Sequence, residues 1–329
     1  MFAFAKYLHF LLLILVLIPF PHVTSAQVAR REVIPFESLT LTDQEFLRGS
    51  EDGKRVTIAG ELRLPRAGSE RFPLVILLHG SCGACSYVVD WEQEFLAMGV
   101  ATFVIDSFTG RGITNTNNDQ AQLGRLAQTE DAYRALALLA RHPRIDPGRV
   151  MLMGFSRGGQ NALYASLTRF QRMHAAASDV HFAAYVAFYP DCSYTYRDDE
   201  DIGAQPVRVF QGTDDNYDPI APCRTYVERL KAKGKDIRLT EHPGAGHVFD
   251  GRTFKTPVTL PHAQTMRNCK WEEGDNGQLF DAKTKQPFSY GDPCVERGTT
   301  VAYDEKAATA AGQAVAELVA ATLKPSRSP

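Results

Sequence analysis

The stretch RVMLMGFSRGG, residues 149–159, joins an apolar run to the pattern G-x-S-x-G, in which Gly154 and Gly158 flank Ser156. An apolar run without alternation fits a strand covered by helices on both faces. Helical spacing follows over residues 158–170. Strand, turn and helix in register are the context a nucleophile elbow needs: the turn is so tight that side chains two residues either side of the serine would clash. Glycine at both positions lets the hydroxyl stand above the sheet. The pentapeptide alone could equally be a glycine-rich turn without chemistry, and the flanking elements weigh against that reading.

Working outward, further strands are expected at residues 56–64, 73–79, 100–106, 184–189, 207–212 and 237–242, each rich in β-branched or apolar residues. Helical spacing separates them at 91–98, 131–142 and 223–233, and an alanine-rich closing helix is expected over 305–323. This alternation predicts an α/β protein with a mostly parallel central sheet and helices on both faces. Chemistry in such sheets collects at the carboxyl ends of the strands. His79, Asp106, Ser156, Asp191, Asp215 and His247 each stand just after an apolar run.

A serine hydroxyl at its free pKa is a poor nucleophile and needs a base, which in turn needs an orienting acid. In chain order Ser, acid, His, the acid is expected at Asp215 in GTDD, with Asp214 its rival, and the base at His247 in GAGH. An oxyanion hole would use the backbone N–H groups of Ser81 and Arg157, with Cys82 competing for the first position. His79 is expected to fix its loop. Arg111 and Arg157 could grip an acidic substrate group, although structural ion pairs are the plainer expectation. Tyr87, Phe108, Tyr189, Phe249 and Trp271 could line a pocket or simply pack.

Taken together, LLHGSCG, DSFTGRG, GFSRGG, FYPDC, GTDDNYDPIAPC and HPGAGHVFD resemble the dienelactone hydrolase family of α/β-hydrolases over roughly residues 55–325. The resemblance implies a single-domain α/β-hydrolase, Ser156, Asp215 and His247 as the triad, and no metal or organic cofactor. The family's namesake uses a cysteine nucleophile and is not exported, whereas this chain has Ser156 and a leader. General carboxylic-ester hydrolysis of a small-molecule substrate is therefore the expected activity, rather than dienelactone cleavage. Asp191 stands where glycine is more usual. An exopeptidase on the same scaffold and a non-catalytic binding module are the competing readings.

The first 26 residues place Lys6 before the apolar run 10–20 and end on Thr24, Ser25 and Ala26, which reads as a signal peptide ahead of one domain over 27–329. Export to the periplasm or beyond is expected, with no membrane association once the leader is removed. In an oxidising compartment the six cysteines should pair. Cys192 and Cys223 end up at the carboxyl edges of neighbouring strands, and Cys269 and Cys294 enclose a polar stretch read as a loop, so these two pairs are expected together with Cys82 and Cys85. A redox role for C-G-A-C is the alternative for the last pair. The formal net charge of -2, without long basic runs, argues against nucleic acid as a partner.

Overall fold

The computed structural model describes residues 30–175 and 180–324, and the expected leader lies outside them. In chain order the elements are β1 (Arg30–Thr40), α1 (Asp43–Leu47), β2 (Lys54–Leu64), β3 (Phe72–Leu78), α2 (Ser86–Ala97), β4 (Ala101–Asp106), α3 (Ala127–Leu139) and β5 (Ile145–Phe155). Then come α4 (Arg157–Tyr164), α5 (Thr168–His174), β6 (Ala184–Phe188), β7 (Tyr194–Thr195), β8 (Val207–Gly212), α6 (Ile220–Ala232) and β9 (Ile237–His242). The chain closes with β10 (Val258–Thr265), β11 (Trp271–Glu273), β12 (Leu279–Asp281), β13 (Glu296–Val301) and α7 (Glu305–Thr322).

Eight strands form the main sheet in the order β1-β2-β4-β3-β5-β6-β8-β9. Strands β1 and β2 are antiparallel to their neighbours, and β4 to β9 pair in parallel through β3, β5, β6 and β8. This is the α/β-hydrolase fold. Because side chains alternate across a strand, Leu74, Ile76 and Leu78 of β3 join a core beneath α3, α4 and α6, while Val75 and Leu77 join a second core beneath α2 and α7. Both sheet faces are thus covered, which explains why β3 is buried along its whole length.

Two expectations need correction. The helix expected over 158–170 is two helices, because Leu167 turns extended and bridges Ile202, while Ser166 O and Thr168 N bond to Gly203 and Asp201. The backbone there finds partners across the fold instead of along the helix. The polar stretch after Cys269 is not a plain loop either: β11 pairs with β12 and with β7, making a separate three-stranded sheet around the buried Trp271. Among the described residues no helix is long and apolar enough to cross a membrane.

Candidate active site

The elbow is built by close backbone approach. A Cβ at Gly154 would stand 2.0 Å from the carbonyl oxygen of Gly158, and one at Gly158 would stand 2.3 Å from that of Leu78. Strand β5, helix α4 and the end of β3 therefore cross at a separation only glycine permits. Ser156 sits between them at φ 52° and ψ -117°, a left-handed conformation a serine adopts only under constraint. Its amide donates to the carbonyl of Phe188 on β6 at 2.9 Å, which ties the strained residue to the sheet.

His247 and Asp215 converge on it. Ser156 Oγ lies 3.0 Å from His247 Nε2, and His247 Nδ1 lies 2.7 Å from Asp215 Oδ2. Asp215 is buried and Asp214 exposed, so the former and not the latter meets the ring. The other oxygen of Asp215 accepts the amides of Tyr217 and Asp218 at 2.8 and 2.9 Å, and Gln211 Nε2 donates to Oδ2 at 3.0 Å. These three bonds fix the position of the carboxylate against the ring. Burial alone would lower the pKa of His247, but the charge and hydrogen bond of Asp215, with Asp218 behind them, outweigh it and raise it.

A serine hydroxyl bonded to an imidazole, itself bonded to a buried carboxylate, is an arrangement of nucleophile, base and orienting acid. The dienelactone hydrolase family model matches residues 58–272, well over half of the chain. The chain belongs to the dienelactone hydrolase family. Among solved structures, a dienelactone hydrolase described as putative, from Klebsiella pneumoniae, superposes with a TM-score of 0.56 at 14% identity, covering 90% of this chain and 100% of that one. A dienelactone hydrolase-like promiscuous phosphotriesterase from metagenomic libraries gives 0.54 at 16% identity, covering 88% and 98%. At such identity these likenesses show the fold. An uncharacterized 31.7 kDa protein from the traX-finO intergenic region of Escherichia coli is 30% identical over 146 residues, which are 44% of this chain and 46% of that protein. The chain thus spans about half the length of the curated relatives it matches.

Within this dienelactone hydrolase frame the remaining expected residues can be placed. Ser81 follows Gly80, whose absent side chain would lie 3.3 Å from Ser156 Cβ, so the loop after β3 passes directly over Ser156. A Cys82–Cys85 disulfide and a Gly83 N–H bond to Gly80 O close that loop, and Thr116 N donates to Ser81 O. Arg157 opens α4, but its guanidinium is buried and donates to the carbonyls of Gln120, Leu123 and Gly124. Burial and the neighbouring Arg125 push it down to about 10. Arg111 is likewise spent on Asp131 and on the carbonyls of Leu39 and Ser107. Neither arginine is free for a substrate.

His79 bonds Gly80 O and receives Ser107 N, the loop-fixing arrangement expected of it. Of the aromatics, Tyr189 reaches the site with its ring 4.7 Å from that of His247, while Phe108 packs on His79 and Trp271 on Phe288. The second and third disulfides are Cys192–Cys223 and Cys269–Cys294.

Further polar residues surround Ser156, His247 and Asp215; Asp191 is marked by its place after a strand, whereas Gln120 escapes sequence reasoning. Gln120 donates to Ser81 and Tyr217 while accepting from Arg125 and Arg157. Asp191 accepts Ser193 N and stands 3.6 Å from Arg125. Asp218 approaches His247 Nε2 to 4.0 Å. Only the second aspartate of the DNYD run hinted at the last, and nothing local marks the glutamines. Among the described residues no cluster of His, Cys, Asp and Glu is arranged to hold a metal.

Proposed function

We propose that this chain is an exported serine esterase that cleaves carboxylic esters of small molecules through an acyl-enzyme on Ser156. The observation that carries the reading is the continuous relay Ser156–His247–Asp215, with contacts of 3.0 and 2.7 Å. In this reading His247 takes the proton of Ser156 as Oγ attacks the ester carbon, and the imidazolium is stabilised by Asp215. The developing oxyanion is held by the backbone N–H groups of Ser81 and Arg157. His247 then gives its proton to the leaving alkoxide, and water, deprotonated by the same nitrogen, releases the acid.

Residues 1–26 serve as the leader and 27–329 as one hydrolase domain. Three disulfides support an oxidising compartment as the working environment. Fluorophosphonate labelling of the purified protein, read by peptide mass spectrometry, tests the reading. Modification at Ser156 is expected, absent in His247→Ala, with kcat on short acyl esters falling roughly ten-thousandfold in Ser156→Ala. Failure of the folded protein to label, or hydrolysis of aminoacyl amides in preference to esters, would overturn it.

A further inference from the structure

Two tyrosine rings, those of Tyr189 and Tyr217, crowd the His247 imidazole with centroids 4.7 and 4.8 Å away. Its Nδ1 is taken by Asp215. The Nε2 edge remains, and it faces two groups: Ser156 Oγ at 3.0 Å and a carboxylate oxygen of Asp218 at 4.0 Å. Ser156 and Asp218 each keep 7% of their surface exposed against 1% for the histidine, so the opening to the ring lies at the edge they share.

The backbone of Asp218 is fully used, its N–H on Asp215 and its C=O on the Gln211 amide. Its side-chain oxygens make no hydrogen bond among the described residues; one of them stands 4.0 Å from His247 Nε2, and Asp191 and Asp215 also act on the carboxyl. About 8% of the Asp218 side chain meets solvent, at that same opening, so its free oxygen can reach a small hydrogen-bonding molecule there. The arrangement calls for something to occupy the gap.

On the esterase reading above, the atom that must sit against Nε2 is first the leaving oxygen and then the hydrolytic water. Two acceptors 4.0 Å apart can each take a hydrogen bond of ordinary length from one water whose hydrogens diverge at close to a right angle. We propose that Asp218 positions the deacylating water: the water donates one hydrogen to His247 Nε2 and the other to the Asp218 carboxyl, which leaves its lone pair facing the acyl carbon. In the step itself a water O–H bond breaks, its proton passes to Nε2, and the new O–C bond forms. Collapse then breaks the Oγ–C bond as the same proton moves to Ser156 Oγ. Asp218 accepts a hydrogen bond throughout and neither gains nor loses a proton.

Burial and the charge of Asp191 push the Asp218 carboxyl up to about 8. The carboxyl keeps an oxygen that accepts from water. Deacylation by an alcohol separates this role from plain support of the fold, since methanol has a single hydroxyl hydrogen. It can satisfy Nε2 but has none for Asp218, so Asp218 favours water over methanol.

The test uses the purified full chain and 4-nitrophenyl acetate, with the burst reporting acylation, the steady state reporting deacylation, and added methanol reporting the partition of the acyl group. Asp218→Ala should slow deacylation about tenfold while leaving the burst rate within about twofold, and should raise the methanol-to-water partition several-fold. Asp218→Asn, which keeps an acceptor oxygen, should restore both. Equal slowing of acylation and deacylation with an unchanged partition would overturn the proposal. Should the alanine variant not fold, Asp218→Leu fills the space without an acceptor and decides the same question. Absence of any acetyl-Ser156 in the unsubstituted protein would instead defeat the esterase reading, a result distinct from an acyl-enzyme indifferent to Asp218.

Discussion

The nucleophile and its two partners rest on differently built ground. Ser156 stands where three backbone segments cross at glycine-only distances, over β3, buried throughout, and the buried second half of β5. Asp215 and His247 stand on loops beyond β8 and β9, held by polar contacts with the segment 258–302. Thr265 Oγ1 donates to Tyr217 O at 2.6 Å, Arg267 to Asn216 O, and Thr299 Oγ1 to Asn216 Oδ1, while Ala302 N donates to His247 O. Close packing transmits any volume change to its neighbours, whereas a set of separate hydrogen bonds, buried in one place and exposed in another, yields piece by piece. The half of the site that needs a strained backbone is rooted in the core. The half that carries His247 and Asp215 is pinned from outside.

The largest effect should come from the rooted half. Gly154→Ala drives a methyl into the Gly158 carbonyl, and neither the strand nor α4 can retreat without opening the elbow. A loss of about 3 kcal/mol in urea unfolding is expected. An unchanged midpoint would show the crossing to be looser than its distances imply.

The pinned half should fail differently. Cys192→Ser with Cys223→Ser frees a loop of 31 residues that brackets β8 and the acid loop. Chain entropy puts the cost near 3 kcal/mol. More tellingly, esterase activity should vanish at lower urea than the far-ultraviolet circular dichroism of the sheet. Coincident transitions would mean that both halves unfold as one, and the contrast would be lost.

The same division governs what could be read in advance. Strands β3 to β6 and β8 announce themselves as apolar runs, and the elbow follows from two glycines around Ser156, because each is decided by residues adjacent in sequence. Asp215 and His247 were legible through their place after strands. Strand β1, with the exposed residues of RREVIPFESLT facing solvent, lacks an apolar run and is held by pairing with β2 at the sheet edge. The short strands β11 and β12 owe their existence to β7, some 77 residues before Trp271. Gln120, Gln211 and Asp218 acquire meaning only from groups brought beside them by the fold, and glutamine in a loop has no local signature.

A smaller effect tests the pin directly beneath the acid. Gln211 Nε2 donates both to Asp215 Oδ2 and to the carbonyl of Asp218. Gln211→Leu removes both bonds, so Oδ2 keeps only the imidazole as partner while the amides of Tyr217 and Asp218 still hold Oδ1. A fall of about tenfold in kcat/KM is expected, with little change in the urea midpoint. A matching loss of stability would show that Gln211 belongs to the core rather than to the pinning lattice.

The smallest effect is one of slope. Asp218 faces Asp191, Asp215, His247, Arg125 and Tyr217, and its carboxyl titrates near 8 in the fold against an ordinary value of 3.8. Between those values the folded chain keeps a proton that the unfolded chain releases, so stability must decline as pH rises through the window. His247, also raised, contributes stability that is present at low pH and lost as its own proton leaves, which tilts the curve the same way. Asp218→Asn removes the first contribution and trims the second. The stability gap between variant and parent should therefore widen from about pH 4 to about pH 8 and then level, gaining more than about 1 kcal/mol in the variant's favour. A gap that stays constant would mean that Asp218 is well solvated and titrates like a surface carboxyl. The pinned half of the site would then be open to bulk water at the one point where the proposed deacylation needs a single ordered molecule.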